Sequence, residues 1–471
     1  MDYDYWELRK IISKVIPRKQ LLFPLADKQT TKIKGRKVNY EEFNLISNEW
    51  EHRRKLLKEN EVNSFLEISL RAAACPMPLN LDVWDGLKCP FGCIYCYANA
   101  FRTTLYSSFF DNSKSIGLRH CDPDYYKKEL DKIFLNRGKK DLDNLNGINK
   151  AVSMEIPMRF GIRFEDFLNN EKRSRISLEL LKFLNDNDYP VMINTKSSLI
   201  GDEEYVKEIS ENKGGSAVHI TMISNDEKLL SKLEPGAPTF AKRLSAAKNL
   251  IKSGVRVVAR IEPFLVFIND NKESVLSYID ELKECGIKHI TFDTYSYSAK
   301  GAEIKSAFNS NGFDYERLFL AGCDSQPLGS YLLGKFIDEF RIRGFSCSTF
   351  DMGNVPSNDQ NICCEVADIF SGFNWGCSVG ASRFIKKESE NKDYVGWKDF
   401  EKFVERKGGW LTDQLKLQVH ELWNLEGKDA YSPSWSAGLE IISEDEFGLV
   451  YFYNPKNDFR KEIIEGVING L

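Results

Sequence analysis

The chain has 471 residues, 42% hydrophobic and 28% charged, which is length for one large domain with appendages or for two to three ordinary ones, with an unremarkable globular composition. Its formal net charge of −4 excludes a strongly basic footprint over the whole molecule and leaves only a local basic groove for any nucleic acid. No stretch approaches the roughly 20 consecutive apolar residues that cross a bilayer, so no membrane partner is expected.

Residues 1–78 read as a mostly helical N-terminal extension. The opening MDYDYWELRKIISKVIPRKQ is charged and amphipathic and lacks the apolar run of a secretory signal, which gives the expectation of a cytoplasmic protein. Residues 40–60 are charged and periodic enough for one exposed-face helix. In a reducing compartment eleven cysteines do not make a disulfide framework, and clustered ones point to metal.

Residues 79–298 alternate short apolar, β-branched runs with longer amphipathic ones. Strands are predicted at 79–83, 151–156, 190–194, 217–223, 255–261 and 289–293, with helices between them at 123–134, 174–187, 203–212, 239–253 and 272–285. Successive βα units of this length make an α/β fold with a parallel sheet. Six strands and five intervening helices favour a partial (β/α)6 TIM-type barrel, with a doubly wound sheet as the alternative because strand order is not written in the sequence. Gly254 and Gly286 each stand where a helix should end before a strand, as structural glycines.

Residues 299–471 lose the βα rhythm and form a Trp/Cys-rich C-terminal region that would serve as a substrate or auxiliary segment. Trp375, Trp397, Trp410, Trp423 and Trp435 lie here, and either pack a separate core or offer stacking surfaces.

Chemistry concentrates in Asp85-Gly-Leu-Lys-Cys89-Pro-Phe-Gly-Cys93-Ile-Tyr-Cys96-Tyr-Ala98. Cys89, Cys93 and Cys96, spaced CxxxCxxC on one tight loop, can place three thiolates on three corners of a [4Fe-4S] cluster. The fourth iron then lacks a protein ligand, and an open position turns an electron carrier into a site that binds and activates. A zinc loop is the other reading; it needs a fourth ligand, for which His120 and Cys121 are the only close candidates.

CxxxCxxC with an aromatic before the third cysteine, at the start of a partial barrel, resembles the radical S-adenosylmethionine (SAM) superfamily. The resemblance implies that the methionyl amino and carboxylate groups of S-adenosyl-L-methionine chelate the vacant iron. It also implies that one electron cleaves the sulfonium to a 5′-deoxyadenosyl radical that abstracts hydrogen from substrate, with Tyr95 against the adenine. Further along, Asn194-Thr195-Lys196-Ser197, His219-Ile-Thr221-Met-Ile-Ser224, Glu234-Pro-Gly-Ala-Pro238 with Arg243, and Ile261-Glu-Pro263 before Ile268-Asn269-Asp270 occur in order. Together they resemble the spore photoproduct lyase-like (DNA repair photolyase-like) branch over about residues 79–298.

Lys196, at a predicted strand end, is the candidate cation for the cofactor carboxylate, or else a solvated loop lysine. Thr221 and Ser224 at the next strand end either donate to the cofactor or satisfy backbone, and Arg260 and Glu262 form a polar wall or a buried pair. Glu234–Pro238 reads as a rigid turn, with Arg243 either an ion-pair partner or a substrate contact.

The match breaks at one place. Where the lyase carries a cysteine that returns hydrogen to the product radical, alignment on Arg159-Phe-Gly-Ile-Arg163-Phe-Glu165-Asp166 puts Arg163. No catalytic residue is therefore assigned. Cys347, Cys363, Cys364 and Cys377, with Cys323 upstream, either hold a second iron–sulfur cluster or are buried thiols.

The expectation is a radical SAM enzyme, a lyase or a modifying enzyme, acting on a nucleic-acid base. The alternative is an enzyme acting on a peptide or small metabolite, with the auxiliary cluster. A third reading is a cluster-bearing sensory protein without turnover. The resemblance implies a flavodoxin or ferredoxin-type reductant.

Overall fold

Short apolar runs bounded by Gly, Pro and Asn become buried strands, and the runs between them with one apolar face become helices packed on the outside. The structure, a computed structural model, describes residues 3–15, 68–70, 75–86, 88–96, 98, 117–139, 145–295, 301–322, 327–349, 364–424, 438–454, 456, 458, 460–462 and 465–466. The helix predicted at 40–60 lies outside these residues, as do Cys323, Cys363 and Trp435.

Eight strands form one sheet in unbroken chain order: β1 Ile68–Leu70, β2 Leu79–Leu81, β3 Met158–Phe160, β4 Val191–Thr195, β5 Ser216–Thr221, β6 Arg256–Phe264, β7 His289–Thr294 and β8 Ser346–Thr349. β1 is antiparallel to β2, and every later neighbour is parallel. A sequential order means that each crossover winds the same way, as in a partial (β/α) barrel, whereas a doubly wound sheet would reverse direction at a switch point. The six-stranded core is as expected, and β1 and β8 add a strand at either flank from outside residues 79–298.

One predicted strand is corrected. Residues 151–156 do not form a strand: Gly147–Ser153 is a helix, capped by the Asn146 side chain accepting from the Asn149 N–H at 3.0 Å. The strand begins two residues after 156, at Met158. A short apolar run reads equally as buried helix or strand, and Pro157, which cannot donate to a ladder, marks where the chain becomes extended.

The helices are cut where capping chemistry says they should be. Asp122 accepts from Asp124 and Tyr125 ahead of Pro123–Phe134, and Asn271 accepts from Ser274 ahead of Lys272–Cys285. Gly254 and Gly286 take φ of 81° and 92° at helix ends, the left-handed conformation expected of them.

Segments from both ends of the chain complete the barrel. The N-terminal helix Tyr5–Val15 docks through Tyr5, whose hydroxyl donates to buried Asp270, and Arg9, which reaches the same carboxylate at 2.7 and 3.0 Å. At the N-terminal end of the barrel, Met77, Met192 and Ala217 pack against Val366, Phe370 and Phe373, so residues from the C-terminal region plug the sheet's inner face. Beyond them, helices Ser378–Glu388, Trp397–Arg406 and Asp413–Trp423 and a β-hairpin surround an aromatic core. Trp397 lies 5.7 Å from Trp410 and 5.5 Å from Trp423, all three buried. These tryptophans pack a core and present no stacking surface. Among the described residues no helix is long and apolar enough to cross a membrane.

Candidate active site

The cysteine loop follows β2. It is held from within by Gly92 N–H donating to the Cys89 carbonyl at 3.0 Å and Cys96 N–H to the Cys93 carbonyl at 3.2 Å. It is held from outside by the turn at 233–236, where Ile94 N–H donates to the Leu233 carbonyl at 2.9 Å and Gly236 N–H to the Phe91 carbonyl at 3.0 Å. The two backbones meet so closely that a Cβ on Gly236 would lie 2.1 Å from the Pro90 carbonyl oxygen. The Glu-Pro-Gly-Ala-Pro turn is thus the outer wall of the cysteine loop as well as a rigid lead into a helix.

Beneath the loop lies a buried network. The Tyr95 hydroxyl donates to Glu234, and Glu234 also pairs with Arg243, both carboxylate and guanidinium being almost fully buried. Arg243 spends its other donors on the Pro238 carbonyl at 2.8 Å and the Thr221 carbonyl at 2.9 Å. Of the two roles open to it, Arg243 therefore takes that of ion-pair partner. Burial pushes the Glu234 carboxyl up, but Arg243 and Lys196 outweigh it and hold it below the ordinary carboxylate range.

Lys196 follows β4 with its Nζ 5.6 Å from the centre of the Tyr95 ring. Burial pulls the ammonium's pKa down, yet the neighbouring Cys93 sulfur and Glu234 carboxylate more than restore it, so it stays a cation. The Lys196 backbone N–H donates at 2.9 Å to Glu165, a buried carboxylate that also accepts from the Thr195 hydroxyl at 2.6 Å. Burial lifts the Cys93 thiol well above its usual range, with Lys196 opposing and Glu234 adding, so a metal there must displace a proton.

Cys89, Cys93, Cys96 and Tyr95 line a cavity of about 510 Å³ together with Lys196, Thr221 and Arg260. This brings all but one of the predicted cluster and cofactor residues to one space. Ser224 stays outside: it is buried, and its hydroxyl accepts from the Asp226 N–H at 3.1 Å at the start of the next helix. Arg260 pairs with Glu262, which accepts from Thr291 at 2.9 Å; both side chains are part-exposed on the cavity, so they form the polar wall and not a buried pair. Arg163 lines the cavity, ion-paired with Asp82.

The donor set fits an iron–sulfur cubane better than a single ion. Among the described residues no three His, Cys, Asp or Glu side chains converge on one point, whereas a cubane gives each thiolate its own iron. His120 turns its Nδ1 to the Cys121 carbonyl at 2.8 Å, and neither residue lines the cavity, so neither supplies the fourth ligand that zinc would need there.

The C-terminal cysteines are dispersed. Cys347 is buried on β8 with its thiol toward the Phe345 carbonyl at 3.7 Å, and the Cys377 sulfur caps a helix by accepting from Gly380 N–H at 3.4 Å. Among the described cysteines of this region only Cys364 lines the cavity, as does Cys75 from the N-terminal side of the chain. Sequence reasoning missed Cys75, Arg159 and Glu165 as cavity residues and assigned His219 no role of its own; Arg159 and His219 are turned inward by sheet register and Cys75 and Glu165 by the loops that carry them, which single residues do not signal.

No protein-family model matches the chain, and no curated protein does. Among solved structures, spore photoproduct lyase complexed with a dinucleoside spore photoproduct is similar at 15% identity and TM-score 0.38, covering 53% of this chain and 66% of that one. SuiB of Streptococcus suis bound to S-adenosylmethionine is similar at 14% identity and TM-score 0.39, covering 71% and 62%. SuiB bound to its precursor peptide SuiA gives 13% identity and TM-score 0.37, covering 65% and 54%. The chain thus spans less than two thirds of the length of each.

Proposed function

We propose that this chain is a radical SAM enzyme. The observation that carries the reading is the convergence of Cys89, Cys93 and Cys96, on one loop, with Tyr95, Lys196 and Thr221 around a single cavity. In this reading the three cysteines hold a [4Fe-4S] cluster, Lys196 meets the cofactor carboxylate, and the buried Tyr95 lines the adenine side. The bound cluster and S-adenosylmethionine supply one-electron cleavage of the sulfonium and hydrogen abstraction from substrate. The protein's own part is to hold the thiolates in register, keep a cation beside the carboxylate, and exclude water with a mostly apolar wall.

The substrate is a small polar molecule or a short peptide segment. A cavity of this size lies within the range that takes such ligands, and Trp397, Trp410 and Trp423, three of the C-terminal tryptophans that could have stacked bases, are packed into a core. A flavodoxin or ferredoxin-type protein would supply the electron.

Anaerobic reconstitution with iron and sulfide, reduction, and S-adenosylmethionine should yield 5′-deoxyadenosine. Its absence from a fully loaded cluster would leave a sensory or binding protein instead. Deuterium transfer from labelled DNA into that product, with none from peptides or metabolites, would reverse the substrate assignment.

A further inference from the structure

Two buried acceptors in the cavity, deeper than the cysteine loop, lack hydrogen-bond partners among the described residues: Asn194 Oδ1 and His219 Nε2. Asn194 is 4% exposed and His219 1%, they are directly paired in the register of β4 and β5, and both line the cavity. A buried polar atom left unpaired is costly, and in a cavity wall it marks where a ligand completes the set.

The state of the imidazole is set by its neighbours. Its ring hydrogen-bonds the Cys364 backbone, and burial together with Arg260 and Arg159 holds it neutral. Because Nε2 is the unpartnered atom, the Cys364 bond falls on Nδ1, which donates to the carbonyl. Nε2 then carries the lone pair and only accepts. Beside the two acceptors stand two guanidinium groups. Arg159 donates to Asn80 at 2.9 Å and to the Cys75 sulfur at 3.3 Å, and Arg260 pairs with Glu262.

An anion would be drawn to the arginines but would set its lone pairs against those of Asn194 and His219. A neutral group with two N–H donors beside one carbonyl meets every requirement at once: its nitrogen faces the two acceptors and its oxygen faces a guanidinium. We infer that this floor binds a primary carboxamide carried by the substrate, an assignment that rests on the radical-enzyme reading above and names the substrate class for the same cavity.

The test uses crystals of the cluster-loaded protein with S-adenosylmethionine, soaked anaerobically with acetamide or with acetate. Acetamide should seat its nitrogen within hydrogen-bond distance of both Asn194 Oδ1 and His219 Nε2. Acetate at that position, or water alone in both soaks, overturns the assignment. In solution, His219→Leu should weaken acetamide binding about tenfold, the loss expected for one hydrogen bond. Asn194→Ser should do the same and serves if the first variant fails to fold. Unchanged binding in a folded variant also overturns it. Free glutamine and the tripeptide Gly-Gln-Gly, as separate arms, tell a small-molecule amide from a peptide side chain. Formation of 5′-deoxyadenosine on the same wild-type preparation separates the two failures. Product without acetamide binding removes only the floor site, and no product removes the reading beneath it.

Discussion

The Tyr95 hydroxyl and the Glu234 carboxylate, 139 residues apart in sequence, share a buried hydrogen bond that ties the cysteine loop to the turn between two barrel helices. Arg243 completes the group from the following helix. Glu234→Gln removes the charge and leaves the Arg243 guanidinium buried beside a neutral amide. Breaking one side of such a pair costs about 3–5 kcal/mol. Thermal unfolding of the metal-free variant should show a correspondingly lower midpoint. A midpoint equal to wild type would mean that the pair contributes nothing to the fold.

The same carboxylate predicts an acid dependence. Its folded pKa lies below the unfolded value near 4.5, because Arg243 and Lys196 outweigh burial. A depressed carboxylate contributes stability that is fully present above the unfolded pKa and is lost as pH falls through the folded one. The unfolding free energy of the metal-free protein should therefore drop below about pH 4.5. The Glu234→Gln variant should lose less over that range, since its amide does not titrate. Parallel pH profiles for the two proteins would exclude this contribution.

Much of the barrel was legible because local and tertiary signals agree. Pro123–Phe134 and Lys272–Cys285 begin and end where the caps and amphipathic pattern place them. Residues 151–156 misled because Ala151 and Val152 are buried whichever element they occupy. β8 was invisible because Ser346-Cys-Ser-Thr349 is polar in three of its four positions and becomes a strand only by pairing with β7. In the site, the cysteine spacing is local and was readable, whereas the Glu234 bond to Tyr95 and the inward turn of His219 arise from long-range packing and register. No composition rule carries that information.

Gly236 tests the clamp on the cysteine loop separately from the ion pair. In Gly236→Ala the added Cβ would lie 2.1 Å from the Pro90 oxygen and 3.0 Å from the Phe91 Cα, both backbone atoms that cannot swing aside. The loop must move outward. Iron retained after reconstitution should fall well below wild type, while far-ultraviolet circular dichroism keeps the barrel signature. Full iron retention would show that the loop tolerates the displacement.

Lys196→Met keeps the apolar stem beside the Tyr95 ring and deletes the ammonium. If Lys196 meets the cofactor carboxylate, a charge-assisted hydrogen bond is lost, worth about 1.5–3 kcal/mol or roughly ten- to a hundredfold in affinity. Equilibrium dialysis of labelled S-adenosylmethionine against the cluster-loaded variant measures it. An unchanged Kd would remove Lys196 from the cofactor contacts and leave it as the cation packed on the Tyr95 ring.

Iron content separates one cluster from two. A single cubane gives about four irons per chain and a second gives about eight. The Cys377 sulfur caps a helix by accepting from the Gly380 N–H and does not line the cavity beside the cysteine loop, so its place is that of a helix cap and not of a cluster ligand. Cys377→Ala should therefore lower the unfolding midpoint, through the lost cap and the cavity left in a fully buried site, without lowering the iron count. Cys93→Ala should do the reverse. Its thiol sits in the cluster loop, whose backbone bonds to residues 233–236 do not use the sulfur, so the barrel should hold while iron binding is lost. A Cys377→Ala protein that loses half its iron would contradict this and place a second cluster in the C-terminal region.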